Sequence, residues 1–470
     1  MKNAPPKRRV LIIGGGLAGL AAARELRRHF SVTVVDAKEY FEFTSGVFRA
    51  FAQPRHWESL TLLYKDVLER RFGVNFIWGE VLDVDQWSQA AKIQPMFSKE
   101  VDTVVFDFCL VAIGCSFDQF TKSGESPWVP SIHGVWQRED KPHGHLDQRF
   151  LEGRRRRILE EYHNLLDWTN QGEEVLIVGA GFQGVEWACE LKHFFPAICV
   201  TVVDFLPRCL GHLPHEAAKY CEEFMKKLGV RTFYKEKFDP QNAAFWRRIS
   251  VSQERCHVYY LSGVKSSCRF MERFRLHQNS PLSETGPSGG GWIFTNQYLQ
   301  VATKDGVWGH GHFFAVGDCV HGSVARPSSP SGGKACGLAV PKTGFPAEEQ
   351  AVHACVNIRI LDRRLHEASC LGPCTSLRST WYPWGAGIFS ISLGPNDACL
   401  IVGQTEVADS GHLLCVGALA VAQKEFIETS KMAHLRGDCG VSYLLWYLIH
   451  HWPVNVSGRG PVCWLPCITC

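Results

Sequence analysis

The feature that most constrains the fold is a glycine-rich pattern, G-x-G-x-x-G, that occurs twice. The first copy follows the apolar run Val10–Ile13, and the second follows the apolar run Val175–Val178. A short run without polar residues is typical of a strand buried on both faces. When such a strand continues through this pattern into a helix, the helix presents unpaired backbone N–H groups to a pyrophosphate. Two copies in one chain predict two dinucleotide-binding units of the Rossmann type.

In the first copy, three glycines stand where such a turn needs them. We expect Gly14 to make the tight turn, Gly16 to admit the phosphate and Gly19 to let the helix pack closely on the strand. A helix-forming stretch follows, and the next β-rich run ends in Asp36, whose carboxylate would bind the adenosine ribose. A glycine-rich turn between any strand and helix can match the pattern by itself. The strand, helix, second strand and acid together favour nucleotide binding.

The second copy repeats this arrangement with Gly179, Gly181 and Gly184, and the strand after its helix ends in Asp204. A carboxylate there would bond the 2′-hydroxyl of NADH and repel the 2′-phosphate of NADPH, which predicts a preference for NADH. Arg208 leaves NADPH open as an alternative, because a guanidinium there could accommodate that phosphate.

Two further apolar runs lead to a glycine, where the backbone can approach a cofactor closely. One ends at Gly114, and the other, His312–Cys319, contains Gly317 and Asp318. The second is more specific, although a plain β-turn would also fit it.

On these residues the chain resembles the pyridine nucleotide-disulfide oxidoreductase superfamily. Within it, the stretches Asp36–Thr44 and Phe48–Ala50 are similar to the segment that flanks the flavin in the ferroptosis suppressor and apoptosis-inducing-factor-like group, which is related to type II NADH dehydrogenases. The resemblance covers about Arg9 to Leu361. It implies that FAD occupies the first site, that Lys38 and Arg49 approach FAD, and that Asp318 meets its ribitol and phosphates.

The same resemblance gives a role to the stretch from Lys342 to Ala351, where related enzymes begin a helix beside the flavin ring. It implies that Lys342 is a cofactor-side residue and that Gln350 and Ala351 are candidates for a quinone site. Plain helix packing is the alternative for the last two.

Some features depart from the superfamily. No cysteine lies between Tyr40 and Ala50, so we do not expect disulfide reduction. Residues 118–147 and 239–288 look like inserts, with clusters of Pro, Gly and Ser. The run Arg154–Arg157 fits a solvated helix face better than a phosphate site.

The C-terminal region resembles a small interface domain only weakly, with strand-like stretches at 386–394 and 398–402. The stretch Val441–Trp452 suits an interfacial helix, which would give peripheral membrane contact, or a core helix. The ending Cys467–Cys470 has the shape of a prenylation box or of a frayed tail. The longest apolar runs are shorter than the roughly 20 residues that span a bilayer.

The predicted fold class is therefore α/β, with two Rossmann-like domains, the FAD domain being interrupted by the NAD(H) domain, and a small C-terminal α+β region. The predicted boundaries are 8–150 and 286–365 for the FAD domain, 151–285 for the NAD(H) domain and 366–470 for the C-terminal region. The charge is nearly balanced, with 50 Lys and Arg against 47 Asp and Glu, which gives no reason to expect nucleic acid.

The 19 cysteines show neither a disulfide framework nor zinc spacing, which predicts a reduced intracellular protein without a metal. We expect it in the cytoplasm or on a membrane surface, with mitochondria left open.

The function predicted from the sequence is an FAD-dependent NAD(P)H:quinone oxidoreductase, with NADH preferred. The cofactors carry the chemistry, so no catalytic triad is expected. Two alternatives keep the same cofactors: a reductase of a ferredoxin-like acceptor, and an NADH-binding redox signalling flavoprotein that resembles apoptosis-inducing factor.

Overall fold

The computed structural model describes residues 6–116, 148–211, 213–275, 279–284, 289–321, 342–371, 387–403 and 411–437. The predicted first insert (118–147), the apolar stretch 441–452 and the cysteines of the C-terminal end lie outside the described residues.

The strands in chain order are β1 (Arg9–Ile13), β2 (Ser31–Asp36), β3 (Tyr40–Glu42), β4 (Thr61–Leu63), β5 (Asn75–Asp85), β6 (Ala90–Pro95), β7 (Asp102–Val105), β8 (Phe108–Val111), β9 (Cys115–Ser116), β10 (Glu174–Val178), β11 (Cys199–Asp204), β12 (Arg231–Tyr234), β13 (Cys256–Tyr260), β14 (Lys265–Ser266), β15 (Ala302–Thr303), β16 (Gly306–Val307), β17 (Phe313–Ala315), β18 (Gly387–Ser392), β19 (Ala398–Gly403) and β20 (Gly411–Val416).

The α-helices are α1 (Leu17–Leu26), α2 (Val47–Ala52), α3 (His56–Leu60), α4 (Leu151–Gln171), α5 (Phe182–Phe194), α6 (His215–Lys227), α7 (Ala243–Ile249), α8 (Gly344–Leu371) and α9 (Ala418–Arg436). A π-helix covers Lys65–Phe72, and short 3-10 turns include Arg269–Phe274 and Gly317–Cys319.

The first sheet has seven strands in the order β17-β8-β1-β2-β5-β6-β7. Strand β1 lies inside it, parallel to both β2 and β8, and its residues from Val10 to Ile13 are buried. This position explains the wholly apolar run in the sequence, because a central parallel strand is covered on both faces. Strand β17, which comes late in the chain, completes this sheet by pairing with β8.

The second sheet has four parallel strands in the order β12-β11-β10-β13. All of it falls between β8 and β17 along the chain, so one sheet interrupts the other. The two short strands at the crossings, β9 and β14, pair with each other antiparallel. The predicted fold class, α/β with two Rossmann-type units, is confirmed by this topology.

The prediction of an insert at 239–288 is wrong for a large part of that range. Strand β13 belongs to the second sheet, and α7 packs its buried Phe245 and Ile249 against that sheet. The following 3-10 turn, Arg269–Phe274, already lies on the first sheet, where Arg273 donates to the carbonyl of Val84. The chain therefore returns to the first unit before residue 286, which the sequence suggested as the boundary.

The C-terminal part is a three-stranded antiparallel sheet, β18-β19-β20, followed by α9. The predicted strand-like stretches correspond to β18 and β19. Helix α8 packs against α1 of the first unit. Among the described residues, every helix is too short or too polar to cross a membrane.

Candidate functional site

The first glycine loop connects β1 to α1 with a geometry that only glycine allows at two positions. Gly14 has φ +99°, and a Cβ on Gly19 would lie 1.9 Å from the carbonyl oxygen of Gly14. At Gly16, by contrast, a Cβ would meet nothing within 4 Å. Strand and helix are thus in close contact on one side of the loop, while its other side is open to a ligand.

Asp36, at the end of β2, fixes this loop through both carboxylate oxygens. Oδ2 accepts a hydrogen bond from the Gly15 N–H at 2.7 Å, and Oδ1 accepts one from the Lys38 N–H at 2.8 Å. Oδ2 also accepts a hydrogen bond from the Tyr64 hydroxyl at 3.5 Å, so it is Oδ1 that keeps a lone pair for a ribose hydroxyl. The acid therefore both shapes the loop and faces the ligand side.

A large cavity lies beside this loop, at the carboxyl ends of the parallel strands, where open α/β sheets bind ligands. The predicted residues that line it are Gly14, Gly16, Asp36, Lys38, Gly114, Gly317 and Asp318. Of the other residues assigned to the flavin side, Gly19, Arg49, Lys342, Gln350 and Ala351 are not part of its lining.

Asp318 is half-buried in the wall of the large cavity. Burial raises the pKa of its carboxyl to about 6, and the Lys342 ammonium limits that rise. Lys342 lies behind it: Nζ donates to the carbonyl oxygens of Asp318 at 2.6 Å and Val320 at 3.2 Å, and it sits 3.7 Å from the centre of the Trp292 ring. Lys342 therefore holds the turn that carries Asp318 in position from outside the cavity.

Gln350 and Ala351 are fully buried in α8. Oε1 of Gln350 accepts a hydrogen bond from the Gly317 N–H at 2.7 Å, so the side chain holds the same turn that carries Asp318. The first turn of α8 presents Gly344 and Ala347 to the cavity instead. Contact of Gln350 or Ala351 with a quinone stays a prediction.

Arg49 points away from the large cavity. Its guanidinium lies 3.2 Å from Oε1 of Glu190 and donates to the carbonyl of Gly394 at 3.3 Å. These contacts belong to a separate small cavity between α2, α5 and α9, which Lys424 also lines. In this arrangement Arg49 joins three parts of the chain, and of the two basic residues expected near FAD only Lys38 faces the large cavity.

The second glycine loop, between β10 and α5, repeats the first in detail. Gly179 has φ +112°, a Cβ on Gly184 would lie 1.8 Å from the Gly179 oxygen, and a Cβ on Gly181 would meet nothing within 4 Å. Asp204 accepts hydrogen bonds from the Ala180 N–H at 2.6 Å and the Leu206 N–H at 2.8 Å. The loop, helix N-terminus and acid fit a second dinucleotide.

The Arg208 guanidinium forms hydrogen bonds with neighbouring residues. One of its nitrogens donates to the carbonyl of Leu213 at 3.0 Å and another lies 2.9 Å from Nδ1 of His215. These contacts hold the guanidinium against the turn before α6, which favours the reading of Asp204 as an NADH-type acid.

One buried ion pair at the large cavity was not predicted from the sequence. Glu42 lines the large cavity, and Arg154 binds it with Nε at 2.9 Å and Nη2 at 3.1 Å. Trp57 donates to the same carboxylate at 2.9 Å. Burial alone would raise the pKa of Glu42, but the Arg154 charge and hydrogen bonds bring it below its usual value.

The prediction that Arg154 belongs to a solvated face is therefore wrong. Arg155 and Arg156 are exposed as expected, but Arg154 is fully buried. A signal was present in the sequence, since Arg154 shares helical spacing with Ile158 and Leu165, the buried apolar residues of α4. An arginine on an apolar helix face needs a buried partner.

The residues around the first loop fit FAD. The open side of Gly16 and the N-terminus of α1 can take its diphosphate, and Asp36 can take its ribose. Ser267 and Arg269, also missed in the sequence, line the same cavity.

Comparisons with known proteins agree with this geometry. A family model described as pyridine nucleotide-disulphide oxidoreductase matches residues 8–249. Ferroptosis suppressor protein 1 of Xenopus tropicalis is 24% identical over 334 residues, which are 67% of this chain and 74% of that protein. The type II NADH:quinone oxidoreductase of Staphylococcus saprophyticus is 22% identical over 378 residues, 76% of this chain and 83% of that protein.

Solved structures show the same fold. NDH2 from Plasmodium falciparum in complex with NADH aligns with TM-score 0.60 at 11% identity, over 97% of this chain and 99% of that one. The sulfide:quinone oxidoreductase of Aquifex aeolicus aligns with TM-score 0.62 at 15% identity, over 92% of each chain.

Proposed function

Since the chain belongs to the pyridine nucleotide-disulphide oxidoreductase family, we propose that it is a flavoprotein that oxidises NADH and delivers the electrons to a quinone. Its cofactors are FAD and NADH. When bound, FAD accepts hydride and releases electrons to a second substrate. The role of the protein is to hold the two nucleotides in register and to exclude water between them.

The observation that carries this proposal is the duplicated loop. Each loop has one glycine open to a ligand, Gly16 or Gly181, and an acid, Asp36 or Asp204, that binds two backbone N–H groups in the same way. The first loop opens on the large cavity whose wall contains Asp318, so FAD is assigned there. The second is assigned to NADH.

A quinone is the acceptor favoured by the relatives, because type II NADH:quinone oxidoreductase and sulfide:quinone oxidoreductase both name one. Helix α8 begins at the cavity, where Gly344 and Ala347 form part of the wall. We place the quinone on this side of the flavin.

The purified protein tests the proposal directly. Its visible spectrum should show a flavin band, anaerobic NADH should bleach the band, and a short-chain ubiquinone analogue should restore it. Bleaching without recovery would point to another acceptor or to the signalling role, and a colourless protein would refute the assignment of FAD.

Two glycine variants assign the nucleotides to their loops. Gly181→Val should keep the flavin band but lose bleaching by NADH, because the added side chain fills the open side of the second loop. Gly16→Val should lose the flavin itself. The opposite result for the two variants would assign FAD to the second loop and NADH to the first.

A further inference from the structure

The stretch from Ser267 to Phe270 was unexplained in the sequence, yet it forms part of the wall of the large cavity. Ser267, Arg269 and Phe270 line it together with Gly114 and Cys115. None of the three belongs to a glycine motif. Their presence in the wall raises the question of which group of a ligand they contact.

This stretch is held rigidly on the first sheet. Before it, Ser266 is the register partner of Cys115 in the β9–β14 pair. After it, Arg273 lies 2.9 Å from Oδ1 of Asp83 and donates to the carbonyl of Val84 at 2.7 Å, while Met271 is fully buried. The anchors at both ends fix the position of Ser267 and Arg269 in the cavity.

Both side chains are hydrogen-bond donors, and neither has an acceptor among the residues that the structure describes. Within the described part of the chain, the buried Oγ of Ser267 has no hydrogen-bond partner. Arg269 is exposed and lines the cavity, and it forms an ion pair with none of the described carboxylates. A buried hydroxyl without a partner is uncommon in folded proteins and calls for a ligand.

The charges of the cavity explain why a cation is needed there. Four carboxylates line it, from Asp36, Glu42, Glu80 and Asp318, against the cations Lys38 and Arg269. Arg154 neutralises Glu42 from behind. A dinucleotide adds an anionic diphosphate to this surplus of negative charge, so a further positive group stabilises its binding.

The position of the stretch selects the diphosphate end. Cys115, next to which Ser266 pairs, has its Sγ 3.8 Å from Oδ2 of Asp318. The preceding strand end contacts the glycine loop, since a Cβ on Gly14 would lie 2.5 Å from the oxygen of Ala112. Ser267 therefore follows directly on the strand pair whose Cys115 contacts Asp318, where the phosphates are expected.

We infer that Ser267 and Arg269 bind the diphosphate of FAD from the wall of the large cavity, and so act as cofactor-binding residues outside the two glycine loops. This inference rests on the proposed assignment of FAD to the large cavity. Arg269 supplies an ion pair with a phosphate oxygen, and Ser267 supplies a hydrogen bond from its hydroxyl once rotation about χ1 turns the buried Oγ toward the cavity.

The test is the dissociation constant of FAD, measured from flavin fluorescence on dilution of the purified holoprotein. Arg269→Gln should raise it by about 10- to 100-fold, the range that corresponds to loss of one charge-assisted hydrogen bond. Arg269→Lys should recover most of the affinity, because the charge remains. The difference between wild type and Arg269→Gln should shrink in high salt.

Arg156→Gln is the matched control, because Arg156 is an exposed arginine of α4 whose ion-pair partner among the described residues is Glu152 of the same helix. It should leave the affinity unchanged. If Arg269→Gln also retains wild-type affinity, or if its loss is equal in Arg269→Lys and insensitive to salt, the inference is overturned while FAD stays assigned. A wild-type protein that binds no flavin would instead refute the proposed function.

Discussion

Arg154→Met isolates the buried ion pair behind the large cavity. The side chains of Arg154 and Glu42 are 2% and 1% exposed, and two hydrogen bonds, at 2.9 and 3.1 Å, join them. Methionine keeps most of the volume but leaves the carboxylate with Trp57 as its remaining donor. Loss of one partner of a buried pair costs about 3–5 kcal/mol, so the free energy of unfolding should fall by that amount at pH 8.

The penalty for Arg154→Met should depend on pH, because Glu42 is titratable. In the wild type the pKa of Glu42 is below 4.5, so the stability from this pair is present above pH 4.5 and is lost as the pH falls. In Arg154→Met burial acts without the arginine and raises that pKa. The penalty should therefore shrink as the pH falls, because the carboxyl takes up a proton.

Urea unfolding followed by tryptophan fluorescence at pH 8 and pH 5 measures both quantities. The double variant Glu42→Gln/Arg154→Met should lie within about 1 kcal/mol of wild type, because no charge stays buried alone. Arg155→Met is the control on the same helix; its pair with Glu58 is exposed, at 53% and 66%, and should change stability by less than about 0.5 kcal/mol. A penalty for Arg154→Met below about 1 kcal/mol at pH 8 would refute the reasoning.

Four further substitutions test the two glycine loops and the cavity wall. Gly19→Ala should prevent folding of the first unit, because its Cβ would lie 1.9 Å from the Gly14 oxygen, whereas Gly16→Ala should fold and bind less flavin; circular dichroism and flavin content separate the two. Asp204→Asn should narrow the preference for NADH over NADPH, as measured by kcat/KM for each, since the repulsive carboxylate is gone. Because burial raises the pKa of Asp318 to about 6, flavin-free wild type should lose about 2 kcal/mol between pH 4 and pH 6.5, and Asp318→Asn should not; equal pH profiles in denaturant unfolding would contradict this.

The sequence was enough to locate both glycine loops because their constraints are local. The close contact between Gly19 and Gly14 lies within one turn of chain, and the acids Asp36 and Asp204 follow each loop at a short and regular distance. Backbone geometry of this kind depends on residue type and spacing alone. The same holds for the apolar strand β1, whose burial follows from its composition.

The walls of the cavity are different, because they come from distant parts of the chain. Arg154 and Glu42 are 112 residues apart, and Cys115 and Asp318 are 203 apart. No local pattern marks such pairs. Helical spacing could still have separated the buried arginine from the exposed ones in the run Arg154–Arg157. The partner of the buried arginine, however, depends on how α4 packs. The position of Arg269 depends on where the chain crosses between the sheets.

The C-terminal region, which carries the weakest sequence patterns, is joined to the cavity through α8. Lys431 of α9 is buried and forms an ion pair with Glu348, in the same first turn of α8 that presents Gly344 and Ala347 to the cavity. Burial lowers the pKa of Lys431 and Glu348 opposes the change, so the pair depends on α9 being packed in place. An acceptor that enters past Gly344 and Ala347 contacts a turn that α9 holds in place. We therefore expect substitutions in α9 to alter the KM for quinone and to leave flavin reduction by NADH intact.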